Sequence, residues 1–178
     1  VLILSHRPVV SDSWFEDFSK LEMKEAGYQY GSKKHESIET LIKDGAKFVY
    51  FASIQDLRGS SQIGGKQRQK NELIFSTDWD LIVFDEAHEG TQTELAQNVE
   101  EAVKKKNTKV LELSGTPFNL LEQYEEEQVF TWDYVMEQEA KLRWSTEKPD
   151  EPNPYETLPK VNMFTFEMGN KEKYADDS

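Results

Sequence analysis

The sequence predicts an α/β domain built on a mostly parallel sheet. Three observations point to it: five short apolar runs recur along the chain, most of the stretches between them are polar and of helical length, and the runs are continuously apolar. The last observation decides the type of sheet. A strand with one wet face alternates apolar and polar residues, whereas a strand covered on both faces by crossover helices is apolar throughout. At 178 residues, 37% of them hydrophobic, the chain has the size of one domain with a buried core.

The first run, "VLILS" (1–5), enters a strand at once. Ser11 or Asp12 is placed to cap a helix over 13–27, in which Trp14, Phe15, Phe18 and Leu21 share a face and Gly27 is the stop. A second helix over 35–45 groups Ile38, Leu41 and Ile42 and ends at Gly45. "KFVYFAS" (47–53) and "DLIVFDE" (80–86) are the next strands. A third helix over 92–107 repeats Leu95, Val99, Ala102 and Val103 at helical spacing, and Lys104, Lys105 and Lys106 complement the negative end of its dipole. That lysine run reads as a solvated helix terminus rather than a binding patch. "KVLELSG" (109–115) is a fourth strand and "VNMFTFEM" (161–168) a last one, reached through the proline-rich, acidic surface connection 147–159 and followed by a frayed tail.

Composition removes several classes of function. The chain has no cysteine, so it has no disulfide framework, cysteine nucleophile or thiolate zinc site, which fits a reducing compartment. No apolar run approaches the roughly 20 residues that span a bilayer, and we expect a cytoplasmic protein. A net charge of −13 suits a free-standing nucleic-acid binder poorly. The charge is uneven, however. Residues 58–71 contain Arg58, Lys66, Arg68 and Lys70 and no acid, while acids concentrate in "EQYEEEQ" (122–128) and the C-terminal third.

The chemistry begins where the apolar run Leu81–Phe84 meets Asp85 and Glu86, with His88 two residues on. In open parallel α/β sheets, functional groups gather beyond the carboxyl ends of the strands. A carboxylate there can hold Mg²⁺, directly or through water, while its neighbour takes a proton from an attacking water. Taken alone, the acids also fit a helix cap or an ion pair, and His88 a surface histidine. The next strand, however, ends in "LSGTPFN" (113–119), which would bring Ser114 and Thr116 to the same rim. Gly115 and Pro117 make a tight turn there that can expose both hydroxyls toward His88.

"DEAH" (85–88) followed by "SGTP" (114–117) resembles motifs II and III of superfamily 2 helicases and translocases. "VLILSHRPVV" (1–10) resembles their motif Ia, and "FASIQDL" (51–57) the segment before motif II that contacts the same strand of nucleic acid. The combination is most similar to the motor subunits of restriction systems, over residues 1–119. The resemblance implies a RecA-like, P-loop NTPase type of sheet, with ATP and Mg²⁺ as cofactors and nucleic acid, DNA before RNA, as the track. By this likeness Asp85 holds the Mg²⁺ of Mg-ATP through water, and Glu86 orients and deprotonates the water that attacks the γ-phosphate. His88 couples the nucleotide site to Ser114 and Thr116. Ser5, His6, Arg7, Ser53 and Gln55 line the track and contact phosphates, and Arg58 belongs to a DNA-facing loop or an insertion.

The sequence lacks the phosphate-binding loop G-x-x-x-x-G-K-[ST]. "SSQIGGKQ" (60–67) is the nearest approach, but Ser60 replaces the first glycine and Gln67 the hydroxyl ligand. The expectation is therefore a partial first RecA-like motor domain over 1–146, incomplete at its N-terminus, with 147–178 as its connection, final strand and tail. A second RecA-like domain and a nuclease or methyltransferase are its expected partners. Such a piece would have little ATPase activity alone. If a missing strand belongs in mid-sheet, its neighbours are left unpaired and the sheet should rearrange or self-associate. Two other readings remain open: a catalytically silent interaction module of the same fold, and a metal-dependent nuclease built on Asp85, Glu86 and His88.

Overall fold

Four of the five apolar runs become strands, and a fifth strand forms where no run was visible. A computed structural model describes residues 1–66, 71–90 and 93–164. The strands are β1 (Leu2–Ser5), β2 (Tyr28–Ser32), β3 (Lys47–Ser53), β4 (Leu81–Asp85) and β5 (Lys109–Glu112). All pair in parallel, in the order β2-β3-β1-β4-β5. The first strand is thus central. Leu4 lies beside Ala52 on one side and Phe84 on the other, and Ser5 lies between Ser53 and Asp85.

Pleating sorts the strand residues onto two faces with period two. Leu2, Leu4, Tyr50, Ala52, Ile82 and Phe84 build the larger core, which is covered by α2 (Ile38–Lys43), α3 (Ile54–Leu57), α4 (Glu72–Ser76) and α6 (Glu94–Val103). Ile3, Val49, Phe51 and Val83 face the other way against Trp14 and Phe18 of α1 (Ser11–Lys20). Helices on both sides account for strands that are apolar on both faces. The short helix α5 (Ala87–Gly90) follows β4 directly.

The helices are shorter than their sequence patterns. Neither Ser11 nor Asp12 caps α1: a 3₁₀ turn, Pro8–Val10, feeds it without a side-chain cap. It stops at Lys20 because the chain turns through Glu22, at φ +51°, and Gly27, at φ +84°. Leu21 is consequently 72% exposed rather than packed. Ser37 caps α2 by accepting from the Thr40 N–H at 3.2 Å, and Thr93 caps α6 by accepting from the Ala96 N–H at 3.3 Å. Val99 and Val103 are fully buried, as their spacing predicts, while Ile42 is 42% exposed.

Strand β2 escapes a hydrophobicity reading because "YQYGS" offers a single buried apolar side chain, Tyr30, at a sheet edge. Gly31 is required for its packing. A Cβ there would stand 2.7 Å from Tyr50 Cδ2 and 2.8 Å from the Glu36 carbonyl, and would overlap Leu41.

Among the described residues the middle of the sheet is continuous. The five strands pair without interruption, leaving β2 and β5 as the edges, so an unpaired interior gives no reason for self-association. Edge strand β5 is the less covered of the two, with Leu111 46% exposed.

The described residues belong to two compact units, Val1–Glu125 and a second that begins at Glu126. The second contains α7 (Tyr134–Glu147), capped by Asp133, whose carboxylate accepts from the Met136 N–H at 2.8 Å. Tyr155 packs between Trp132 and Trp144, and Lys141 donates to the carbonyls of Glu156 and Leu158. The last expected strand is absent from its described part, 161–164; residues 165–168 and the tail lie outside the described residues. Among the described residues no helix is long and apolar enough to cross a membrane.

Candidate functional site

The parallel register brings Ser53, Ser5 and Asp85 into one row at the carboxyl ends of three adjacent strands. From this row the chain turns sharply. Glu86 adopts φ +55°, a left-handed conformation that a residue with a Cβ takes at a cost of about 1–3 kcal/mol. Two backbone hydrogen bonds of 2.9 Å hold the turn: the Leu113 N–H donates to the Phe84 carbonyl, and the Ala87 N–H to the Leu113 carbonyl. The end of β4 is thereby locked against the chain leaving β5.

That lock assembles a polar string across two strands. His88 Nδ1 lies 2.8 Å from Ser114 Oγ and 3.4 Å from Glu86 Oε2. Ser114 Oγ also accepts from the Thr116 N–H at 3.1 Å. Thr116 therefore joins through its backbone, while its side chain is exposed. Glu86 and His88 keep 32% and 23% of their side chains accessible, so the string is partly desolvated yet open to a ligand.

Asp85 is held by α1. Trp14 Nε1 donates to its Oδ2 at 2.9 Å. Periodicity alone places Trp14 in the core, and nothing in the sequence distinguishes an indole that packs from one that also orients a carboxylate. The remaining carboxylate valence suits a hard divalent cation. Among the described residues no group of three or more His, Cys, Asp or Glu side chains converges on one point. A cation at Asp85 would therefore take one protein carboxylate and not a cage of protein ligands.

The rest of the rim is divided. Ser5 and Ser53 are almost wholly buried and their hydroxyls serve the local chain: Ser5 Oγ accepts from the Arg7 N–H at 3.1 Å, and Ser53 Oγ accepts from the Asp56 N–H at 3.2 Å and donates to Gln55 Oε1 at 3.3 Å. In this arrangement the two hydroxyls shape the turns that follow β1 and β3. Arg7, Gln55 and Arg58 are exposed on the same rim, and His6 Nε2 is buried without a hydrogen-bond partner. Of the basic stretch, Arg68 and Lys70 lie outside the described residues.

A cavity of about 640 Å³ opens at the ends of β1, β2 and β3, lined by Ser11, Ser32, Lys33, Lys34, Ser53 and Asp56 among others. The sequence singled out neither lysine, because a Lys-Lys pair in a loop has no periodicity to mark it.

Comparison with known proteins gives the chain its relatives. The family model described as type III restriction enzyme, res subunit, matches residues 1–119. A Mycoplasma pneumoniae protein, named as the C-terminus of a putative type II restriction enzyme and methyltransferase, is 26% identical over 208 aligned residues, covering 94% of this chain and 29% of the relative. The chain therefore spans less than a third of that protein's length. No solved structure matches the chain.

Proposed function

The chain belongs to the type III restriction enzyme res subunit family, a helicase-like motor family with a RecA-like α/β fold, and from that premise we propose that it is the hydrolytic first domain of a DNA translocase, which couples ATP hydrolysis to movement on nucleic acid. The observation that supports this most is the string Glu86–His88–Ser114, which links the ends of two adjacent parallel strands.

In this reading Asp85, oriented by Trp14, would hold Mg²⁺ through water. The ion supplies charge neutralisation on the β- and γ-phosphates when bound. Glu86 positions a water in line with the γ-phosphorus and accepts its proton as the new P–O bond forms and the bond to the ADP oxygen breaks. The left-handed backbone aims this carboxylate away from the strand axis and toward His88. His88 then reports the state of Glu86 to Ser114 and the turn at Gly115, so that hydrolysis alters the chain leaving β5. Arg7, Gln55 and Arg58 contact the phosphates of the track. A second RecA-like domain would supply the transition-state arginine, and a nuclease or methyltransferase would act on the DNA that the motor delivers.

The competing reading is a silent interaction module that keeps the motor fold. One experiment separates the two. In the intact protein that contains this chain, ATPase activity is measured with duplex DNA, single-stranded DNA and RNA, for the native sequence and for Glu86→Gln. The motor reading expects stimulation by nucleic acid, a loss of at least about a hundredfold on substitution, and retained nucleotide binding. Absence of ATPase activity in the native protein would leave the silent module standing.

A further inference from the structure

We propose that the loop Ser32–Lys34 is a phosphodiester clamp whose two lysines exchange intramolecular carboxylates for backbone phosphates of nucleic acid laid over the cavity at the ends of β1, β2 and β3. The inference rests on the nucleic-acid reading of this rim and adds both new contacts and a means of regulating them.

The loop is built to hold its lysines still. Ser32 Oγ pairs with His35 Nδ1 at 2.8 Å and accepts from the Lys34 N–H at 3.1 Å. The His35 ring is itself packed 4.3 Å from Phe15 and edge-on to Tyr30. From this anchored loop the two side chains run in different directions. Lys34 Nζ grips both carboxylate oxygens of Asp12, at 2.8 and 3.1 Å, and Lys33 Nζ meets Asp56 Oδ1 at 3.1 Å. Asp12 lies in the first turn of α1, which follows β1, and Asp56 in α3, which follows β3, so the two pairs tie the loop to the chain leaving both strands.

Both pairs are solvent-exposed, with lysine side chains 82% and 59% accessible. Exposed ion pairs are held weakly and are screened by salt, so a polyanion entering the cavity can displace them at little cost. Ser11 supports the same assignment. It lines the cavity and is only 4% exposed, yet its hydroxyl has no hydrogen-bond partner, an expensive arrangement unless a ligand supplies one. In a chain with net charge −13 the local carboxylates act as competitors: they keep the lysines paired until a stronger, multidentate anion arrives. The chemistry recognised is a phosphodiester or a free phosphate, and the two are separable by experiment.

The test is equilibrium binding of labelled duplex and single-stranded oligonucleotides to the full chain across a salt series, with inorganic phosphate as competitor. Replacing both lysines, Lys33→Gln with Lys34→Gln, is expected to weaken binding and to reduce the slope of log K against log [salt] by about two on duplex DNA. Lys33→Arg with Lys34→Arg should restore the slope. Asp12→Asn with Asp56→Asn should tighten binding by removing the competitors, and Ser11→Ala should weaken it with the slope unchanged. Binding of oligonucleotide with an unaltered slope in the lysine variant overturns the clamp while leaving the motor reading in place. Failure of the native chain to bind any oligonucleotide overturns both. Occupation of the cavity by inorganic phosphate alone, without oligonucleotide binding, overturns the phosphodiester assignment.

Discussion

Trp14 Nε1 donates a 2.9 Å hydrogen bond to Asp85 Oδ2, tying a helix on the smaller face of the sheet to the acid at the end of β4. Trp14→Phe keeps a ring against Ile3 and Val83 but removes the donor. A hydrogen bond to a charged group contributes about 1.5–3 kcal/mol, reduced here because the pair is only partly buried. We expect a loss of about 1 kcal/mol in denaturant unfolding. An unchanged midpoint would mean that water replaces the indole without penalty.

Glu86 gives a prediction of opposite sign for stability and for activity. Its φ of +55° is natural to glycine and strained for glutamate. Glu86→Gly should leave the fold as stable or raise its stability by up to about 1 kcal/mol, despite glycine's greater freedom when unfolded, while removing the carboxylate that hydrolysis needs. A clear loss of thermal stability in this variant would show that the turn is held by side-chain contacts rather than by the backbone bonds to Leu113.

His88 and Ser114 should behave as a coupled pair. Their 2.8 Å contact joins the exits of β4 and β5, and adjacent polar groups in one network show interaction energies of about 0.5–3 kcal/mol in double-mutant cycles. His88→Ala, Ser114→Ala and the double variant, compared by unfolding free energy, should be non-additive. Strict additivity would dissolve the link on which coupling between hydrolysis and movement depends.

Tyr30 makes the fold sensitive to alkaline pH. Burial foremost, together with the nearby Asp12 charge, pushes its phenol from the ordinary 10 up to about 12. A group whose folded value is raised contributes its full stability below the unfolded value and loses it as pH rises toward the folded one. The melting temperature should therefore fall between about pH 10 and pH 12, more steeply than in Tyr30→Phe. Parallel profiles for the two proteins would refute the assignment.

Gly31→Ala should act on one edge of the sheet. The added Cβ meets Tyr50, Leu41 and the Glu36 carbonyl at distances no packed core tolerates, so β2 or the entry to α2 must move. Overpacking of this kind costs about 1–3 kcal/mol. Hydrogen exchange should quicken along Tyr28–Ser32 and far less in β4.

These residues also show which parts of the molecule could be read in advance. β1, β3 and β4 were legible because burial on both faces writes continuous apolar runs, β5 because Val110 and Leu111 stand beside each other before the Ser114 turn, and the rim at Asp85 and Ser114 because parallel strands put their ends on one side. β2 was not, since an edge strand that needs a glycine for clearance has little apolar signature. Helix α7 buries no residue, so its apolar side chains follow no single face. The left-handed Glu86 was invisible because glutamate does not announce that conformation as glycine does. For Ser5 and Ser53, whether a hydroxyl faces outward or back to its own chain depends on turn geometry that composition does not encode.

The central place of β1 has a consequence for how the protein is made. Its two partners, β3 and β4, are synthesised long after it, and both must arrive before its backbone is satisfied on either side. Until then β1 is a sticky, unpaired ribbon. Slow assembly of this kind exposes nascent chains to aggregation, and a ribosome stalled before Leu81 should hold an unfolded product, detectable by rapid proteolysis, whatever the quality of the α1, α2 and β3 sequences already complete.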